Sequence, residues 1–195
     1  MEITSLSFDP GFTALGWSIC VWDTETKRMT VTHMETEKPG VLAGRVKYRT
    51  LAEKISKRMV AVQLLDEMFE RILEEHDPDF IITESPFFNS RTPNAYESLV
   101  QWCLTLNSRL ANTRQEIAHK VAPTEAKKHL AASSTGGKAS KLDMMESVRT
   151  HPMINTDAVN TDDMSSHAAD SVGVAYGFFV GRLDTILKER EKGLT

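Results

Sequence analysis

Three carboxylates and one imidazole stand out by where they sit in the chain. Asp9 lies in "SFDPGFTALGWSI", at the point where an apolar run meets a proline and two glycines. Glu84 closes a second short apolar run, "IITESP". Asp163, His167 and Asp170 lie in "DDMSSHAADSVGVAYG", spaced i, i+4 and i+7, which puts them on one helical face. Ala168, Ala169, Ser171 and Gly173 make that helix thin enough to approach other elements closely. Oxygen ligands with one imidazole at a common edge suit a divalent cation such as Mg2+ or Mn2+. The competing chemistry at Asp9 is a glycine turn that cradles a phosphate. Taken singly, each piece also has a plain reading: a turn, an acid ending a strand, a structural histidine.

The elements that must position these groups follow from pattern. Residues 3–8, 14–22 and 28–34 read as three strands in an antiparallel meander. Leu51, Ile55, Met59, Val62, Leu65, Phe69, Ile72 and Leu73 keep a helical period, so a long helix is expected over 44–75. "DPDFIITES" gives a turn and a buried strand ending at Glu84, and Pro93 opens a second helix running to about residue 111. "EIAHKVA" is a fifth strand, "PTEAKKHLA" and "KLDMMESVRT" are short helices, and a last helix is expected over 162–190. Crossover helices should make the later strands parallel. The expected architecture is α/β: a mixed five-stranded sheet with helices on both faces, in one domain over residues 1–195. Asp9 and Glu84 then emerge at the same edge, provided their strands are parallel neighbours.

Composition sets limits on partners. Apolar content of 41% and charged content of 26% are those of an ordinary globular protein. "SVGVAYGFFVG" is too short to span a bilayer, and no basic-then-apolar leader opens the sequence, so a cytoplasmic location is expected. Cys20 and Cys103 read as buried free thiols, which suits a reducing compartment. A net charge of −4 argues against a nucleic-acid partner. Its distribution argues the other way: Lys38, Arg45, Lys47, Arg49, Lys54, Lys57 and Arg58 face Glu53 alone in their stretch. A second strip holds Lys120, Lys127, Lys128, Lys138 and Lys141 against Glu125.

At these motifs, and in the same order, the chain resembles the RuvC family of Holliday-junction resolvases, within the RNase H-like nuclease superfamily. The resemblance rests on "SFDPGFTALGWSI", "IITESPFF", "GGKASKLDMMESVR" and "SSHAADSVGVAYG" and runs nearly end to end. It implies an RNase H-like fold, with Asp9, Glu84, His167 and Asp170 as metal-binding positions and two Mg2+ or Mn2+ ions per site. Asp163 lies outside the family pattern and joins the set only by helical phase. The family's phosphate-handling lysines fall on Lys141 and, more loosely, Lys127. Its aromatic after the catalytic Glu falls on Phe87, with Phe88 beside it; two phenylalanines plugging a core edge is the alternative. Arg45, Lys47, Arg49 and Lys138 complete the expected DNA contacts, although the loop holding Lys138 also reads as merely flexible.

The implied reaction is two-metal hydrolysis of a phosphodiester, leaving 5′-phosphate and 3′-hydroxyl ends. Asp9 would bridge the ions, with Glu84 on one side and His167 and Asp170 on the other. Lys141 would offset charge on the scissile phosphate. His167 has two possible roles, ligand or proton carrier. A four-way junction is two-fold symmetric, so a homodimer is expected, through Tyr96, Leu99, Val100, Trp102, Cys103 and Leu104 of the helix from Pro93. Broader branched or flap DNA substrates, and a non-catalytic DNA-binding relative, are the alternatives. An actin-like ATPase would need a second similar half, and "ASSTGGKAS" lacks the P-loop spacing.

Overall fold

β1 (Glu2–Asp9) sets the plan of the molecule, because its alternate residues face two different cores. The computed structural model describes residues 1–11, 13–86, 93–130 and 140–191. Leu6 and Phe8 of β1 point into one core, while Ile3 joins the other. Parity then puts Ser5, Ser7 and Asp9 on the side of Ile3. β2 (Leu15–Asp23) and β3 (Arg28–Glu37) complete the antiparallel meander.

The chain next makes a short excursion: α1 (Pro39–Leu42), a single 3-10 turn at Val46–Tyr48, and α2 (Arg49–Ile55). α3 (Lys57–His76) and β4 (Phe80–Glu84) follow, then α4 (Pro93–Thr113) and β5 (His119–Val121). α5 (Pro123–His129), α6 (Lys141–Thr150) and β6 (Ile154–Asn155) lead to α7 (Ser166–Gly181) and α8 (Leu183–Glu191). The sheet order is β5-β4-β1-β2-β3-β6, with β4 parallel to β1, β5 parallel to β4 and β6 parallel to β3. α3 and α4 bury Leu65, Phe69, Trp102 and Leu106 on one face; Phe8, Phe69 and Trp102 meet there edge to face. α5, α6 and α7 cover the other face.

Four expectations need correction. The sheet has six strands, not five, because Ile154 and Asn155 pair with Met29 and Thr30. A two-residue strand carries no periodic signal. The helix expected over 44–75 is broken at Ser56, whose φ of 81° lies outside helical space and whose hydroxyl caps α3 through the Met59 amide. Across that break the apolar phase resets: α3 buries Val60, Ala61, Leu65, Met68, Phe69 and Ile72, leaving Met59 on the surface. The final helix begins at Ser166, not 162, capped by the Ser165 hydroxyl on the Ala168 amide. It also ends at Gly181, before α8. Cys20 and Cys103 are free and buried, as expected, and burial pushes the Cys20 thiol up to about 12.

α7 lies directly on β2 at Gly16. A Cβ at that position would overlap the carbonyl of His167, so only glycine permits the approach. Ser7 adds a second attachment, donating to the Ser171 carbonyl at 2.9 Å and meeting the Ser18 hydroxyl at 2.8 Å. Gly16→Ala should therefore lower stability by about 1–3 kcal/mol or more through overpacking against backbone. Gly44→Ala is the control, since its new methyl crowds the flexible end of Lys57 and makes only ordinary contact with the Val41 carbonyl; it should change stability by no more than about 0.5 kcal/mol. Urea unfolding of both variants checks the difference.

Candidate active site

Asp9 is the last residue of β1 and Glu84 the last of β4. The parallel ladder between them runs to the pair Phe8 and Thr83, so Asp9 and Glu84 are the next residues on adjacent strands. On the face side, Glu84 shares the parity of Phe80 and Ile82, which pack under α7. Both carboxylates thus leave the sheet at one edge and on the α7 side.

α7 brings the remaining groups. Its first turn carries His167, whose Nδ1 lies 2.7 Å from Asp9 Oδ2. The Asp9 side chain is only 10% exposed there, against 31% for His167. Asp170, one turn further along, is near enough to Asp9 for their charges to interact. Lys127 from α5 acts on Glu84 and Asp170, and Lys141 from the start of α6 acts on Asp170 and His167. Three elements remote in sequence therefore converge on one carboxylate cluster, with lysines from two more at its border.

Electrostatics shows how crowded this cluster is. Burial, then the charges of Asp9 and Asp170, push the Glu84 carboxyl up to about 8. Burial and Asp9 push Asp170 up to about 6, with Lys127, His167 and Lys141 pulling the other way. The hydrogen bond to Asp9 raises His167, opposed by burial. The cluster thus holds protons that isolated carboxylates would release, because its negative charge lacks sufficient compensation.

The chemistry of the donors fits a divalent cation, which would relieve that repulsion through hard oxygen ligands. Among the described residues, no group of three or more His, Cys, Asp and Glu side chains forms a ready-made metal cage. Mg2+ does not require one, since it is usually held by one or two carboxylates together with water and substrate phosphates.

Asp163 does not join the cluster. It precedes α7 in a tight turn, where its Oδ2 accepts from Asn160 Nδ2 at 2.9 Å, and it borders a different cleft beside β3. Helical phase failed there because the helix had not yet begun. Phe87, Phe88 and Lys138 lie outside the described residues. Arg45, Lys47 and Arg49 are exposed on the excursion between β3 and α3, which packs against α3. The serine ladder of Ser7, Ser18 and Ser171 escaped the sequence reading, although Ser5 and Ser7 alternate with Leu6 and Phe8 in a visible period of two.

No protein-family model and no curated protein matches the chain. Solved structures do. Thermus thermophilus RuvC, in complex with a Holliday junction substrate, superposes with a TM-score of 0.67 at 17% identity, covering 94% of this chain and 97% of the other. The chain has the RuvC fold. The yeast mitochondrial Holliday junction resolvase matches with a TM-score of 0.62 at 14% identity, over 95% of this chain and 83% of that one. Fowlpox virus resolvase, also bound to Holliday junction DNA, matches with a TM-score of 0.53 at 14% identity, over 90% and 98%. The RuvC-like fold of this chain therefore carries its carboxylate cluster at the end of β1 and β4, under the first turns of α7.

The raised carboxyls set a pH dependence for the metal-free protein. A carboxyl raised in the folded state binds its proton more tightly there than when unfolded, so it favours folding least when fully ionised. For Glu84 the loss of stability runs from about pH 4.5 up to about 8, and for Asp170 from about 3.8 up to about 6. His167 acts in the same sense, since its raised proton affinity stabilises the fold below its folded pKa and ceases to above it. In the presence of a chelator, stability should therefore fall between pH 5 and pH 8. Glu84→Gln should recover about 1–2 kcal/mol at pH 8, or roughly 2–8 °C in Tm for a chain of this size. Thermal melts at both pH values check this, and a variant melting below wild type at pH 8 would contradict it.

Proposed function

We propose that this protein is a divalent-metal-dependent endonuclease that hydrolyses phosphodiesters in four-way DNA junctions. The observation that carries the reading is the convergence of Asp9, Glu84, His167 and Asp170 at one sheet edge, bordered by Lys127 and Lys141, on a RuvC-like fold. Neighbouring structures that hold Holliday junction DNA support the same substrate class. Residues 1–195 are read as one nuclease domain acting in the cytoplasm; no helix among the described residues is long and apolar enough to cross a membrane.

Asp9, Glu84, Asp170 and His167 would hold two Mg2+ or Mn2+ ions, which supply charge for activating a water and for the leaving 3′ oxygen. Asp9 sits centrally, between Glu84 on the neighbouring strand and His167 on α7, which suits a bridging carboxylate. With Nδ1 engaged by Asp9, His167 retains Nε2 as the nitrogen available to a ligand or a proton. Lys141 and Lys127 border the cluster where a scissile phosphate would add negative charge, and their ammonium groups would offset it. Arg45, Lys47 and Arg49 provide exposed cations for the flanking backbone.

Two symmetric incisions call for two copies of the site, and we place the dimer contact on the outer side of α3 and α4. Trp102 and Cys103, expected at that contact, are buried in the core against the sheet. What remains exposed on α4 is Leu104 at 65% and Tyr96 at 37%, and Leu104 lines one groove with Met59 of α3 and Ile55 at the end of α2. A second copy presenting the same apolar residues would cover it.

Asp9→Asn, Glu84→Gln and Asp170→Asn should each reduce junction cleavage by at least about 100-fold, the scale of a lost transition-state stabiliser, while gel-shift affinity without divalent ions holds or rises. Cleavage of four-way, three-way, flap and linear DNAs by the wild type tests the substrate class. Preference for three-way or flap DNA would favour the broader specificity, and no cutting with either metal would favour a binding protein. Leu104→Glu should convert the dimer to monomer in sedimentation, with the Tm of the monomer preserved. An unchanged sedimentation coefficient would remove this groove from the interface.

A further inference from the structure

The outer edge of β3 leaves a cleft that the cutting reaction does not use. β6 pairs only with Met29 and Thr30, and no described strand lies along the rest of this outer edge of β3. The segment 158–165 forms the opposite wall, enclosing a cavity of about 540 Å3. That volume is in the range of small-ligand pockets. The hydroxyls of Thr36 and Ser165 bond across its floor and hold the two walls together.

Its position relative to the carboxylates follows from the sheet register. Asp9 is opposite Gly16, and Gly16 is opposite Thr36, so Thr36 lies two strand spacings, roughly 10 Å, from Asp9. Ser165 and Ala168, which also line the cleft, flank His167 along the chain. At about 3.4 Å per stacked nucleotide, the cleft is within reach of a base some three positions or fewer from a phosphate held at Asp9. Lys38 stands at the cleft, at the start of the excursion that carries the exposed Arg45, Lys47 and Arg49.

We propose that this cleft receives one unstacked base of the DNA strand and prefers a base bearing an exocyclic amino group, cytosine or adenine. The inference rests on the nuclease reading and adds a base-selecting site to it. Inside the cleft the Asp163 carboxylate offsets the single ammonium of Lys38, while Glu35 turns to His33 on the opposite face of the sheet, so a phosphate is penalised there by the desolvation of its charge. An uncharged ring is not, and its amino hydrogens find acceptors there. Asn160 holds Asp163 by its Oδ2, leaving Oδ1 as the open acceptor. Met34 and Met164 supply soft thioether surface for the ring face. Lys38 is left for the phosphate attached to the inserted nucleotide.

The test uses four-way junctions with 2-aminopurine placed in turn at each position within four nucleotides of the cut, bound to the full chain in EDTA. The expected result is a fluorescence rise at one position for wild type and for Asp9→Asn alike, since insertion needs no cutting. Competing junctions carrying cytosine or thymine at that position should then be cleaved with at least about 5-fold preference for cytosine, the lower end of discrimination by a good base contact. Asp163→Ala should flatten that preference without changing the metal concentration for half-maximal cutting, and Asp163→Asn guards against a folding defect. No rise at any position, or a preference untouched in both Asp163 variants whose melts match wild type, overturns the cleft as a base site while junction cutting stands. If wild type neither binds nor cuts junctions, the nuclease reading falls, and this inference with it.

Discussion

Everything at the carboxylate edge depends on how closely the first turn of α7 sits on β2. The His167 backbone rests where a side chain on Gly16 would be, so the imidazole reaches Asp9 at 2.7 Å from an element 158 residues away in sequence. Hydroxyls fix this seat. Ser165 caps the helix, Ser171 donates back to the Ala168 carbonyl at 2.7 Å, and Ser7 reaches up from β1 to the Ser171 carbonyl. Each of these groups is small, which is why a helix can lie this near a sheet without side chains wedging the layers apart. Gly173 and Gly177 repeat the requirement further along α7, against Leu130 and Met144 and against the Ala126 backbone. The glycines and serines of the two outer motifs thus serve one purpose: they set the distance between a strand and a helix so that four polar groups meet.

That meeting is unfavourable by itself. Three carboxylates gather where burial and mutual repulsion raise the proton affinity of two of them, and the nearby lysines offset only part of the charge. A fold selected for stability alone would place apolar residues at the ends of β1 and β4, as it does one residue earlier at Phe8 and two earlier at Ile82. The local conflict is confined to the last residue of each strand, where the backbone ladder ends and nothing further along the strand depends on it. Local rules broken at one place and obeyed around it are the mark of a functional site. The rest of the fold supplies the stability: buried Trp17, Phe8, Phe69 and Phe178 anchor the two faces of the sheet.

The legibility of the sequence followed the range of the forces involved. The meander, the parallel pairing of β4 with β1 and the gathering of Asp9, Glu84, His167 and Asp170 could be anticipated, because alternation, helical period and strand-end position are local signals. β6 could not, since two residues hold to β3 only through tertiary pairing. The break at Ser56 was hidden because apolar residues on both sides kept an approximate period while the chain turned through a positive φ. Asp163 was misplaced for a related reason. "NTDDMSS" has acceptable helical spacing, but Asn160 closes a turn by accepting from the Asp162 amide, and Ser165 captures the cap position. Short polar side chains that bond their own backbone compete with the helix, and here they won.

Charge segregation gives the molecule a direction. On the α3–α4 side the cations are spent internally: Arg109 makes a bidentate pair with Asp66 and reaches Glu70 at 2.9 Å, and Arg114 pairs with Asp77 and Glu116. Those arginines secure helix to helix and present little net positive field. On the excursion the arrangement is reversed. Among the described residues Arg45 has no carboxylate partner, and Lys47 lies over the Tyr48 ring rather than beside an acid. The excursion springs from the end of β3, in register with Gly16 and so with Asp9. Of Arg45, Lys47 and Arg49, Arg49 alone meets an acid, Glu53, so the net charge of −4 is unevenly spread, with its unpaired cations on the excursion and its paired ones between α3 and α4.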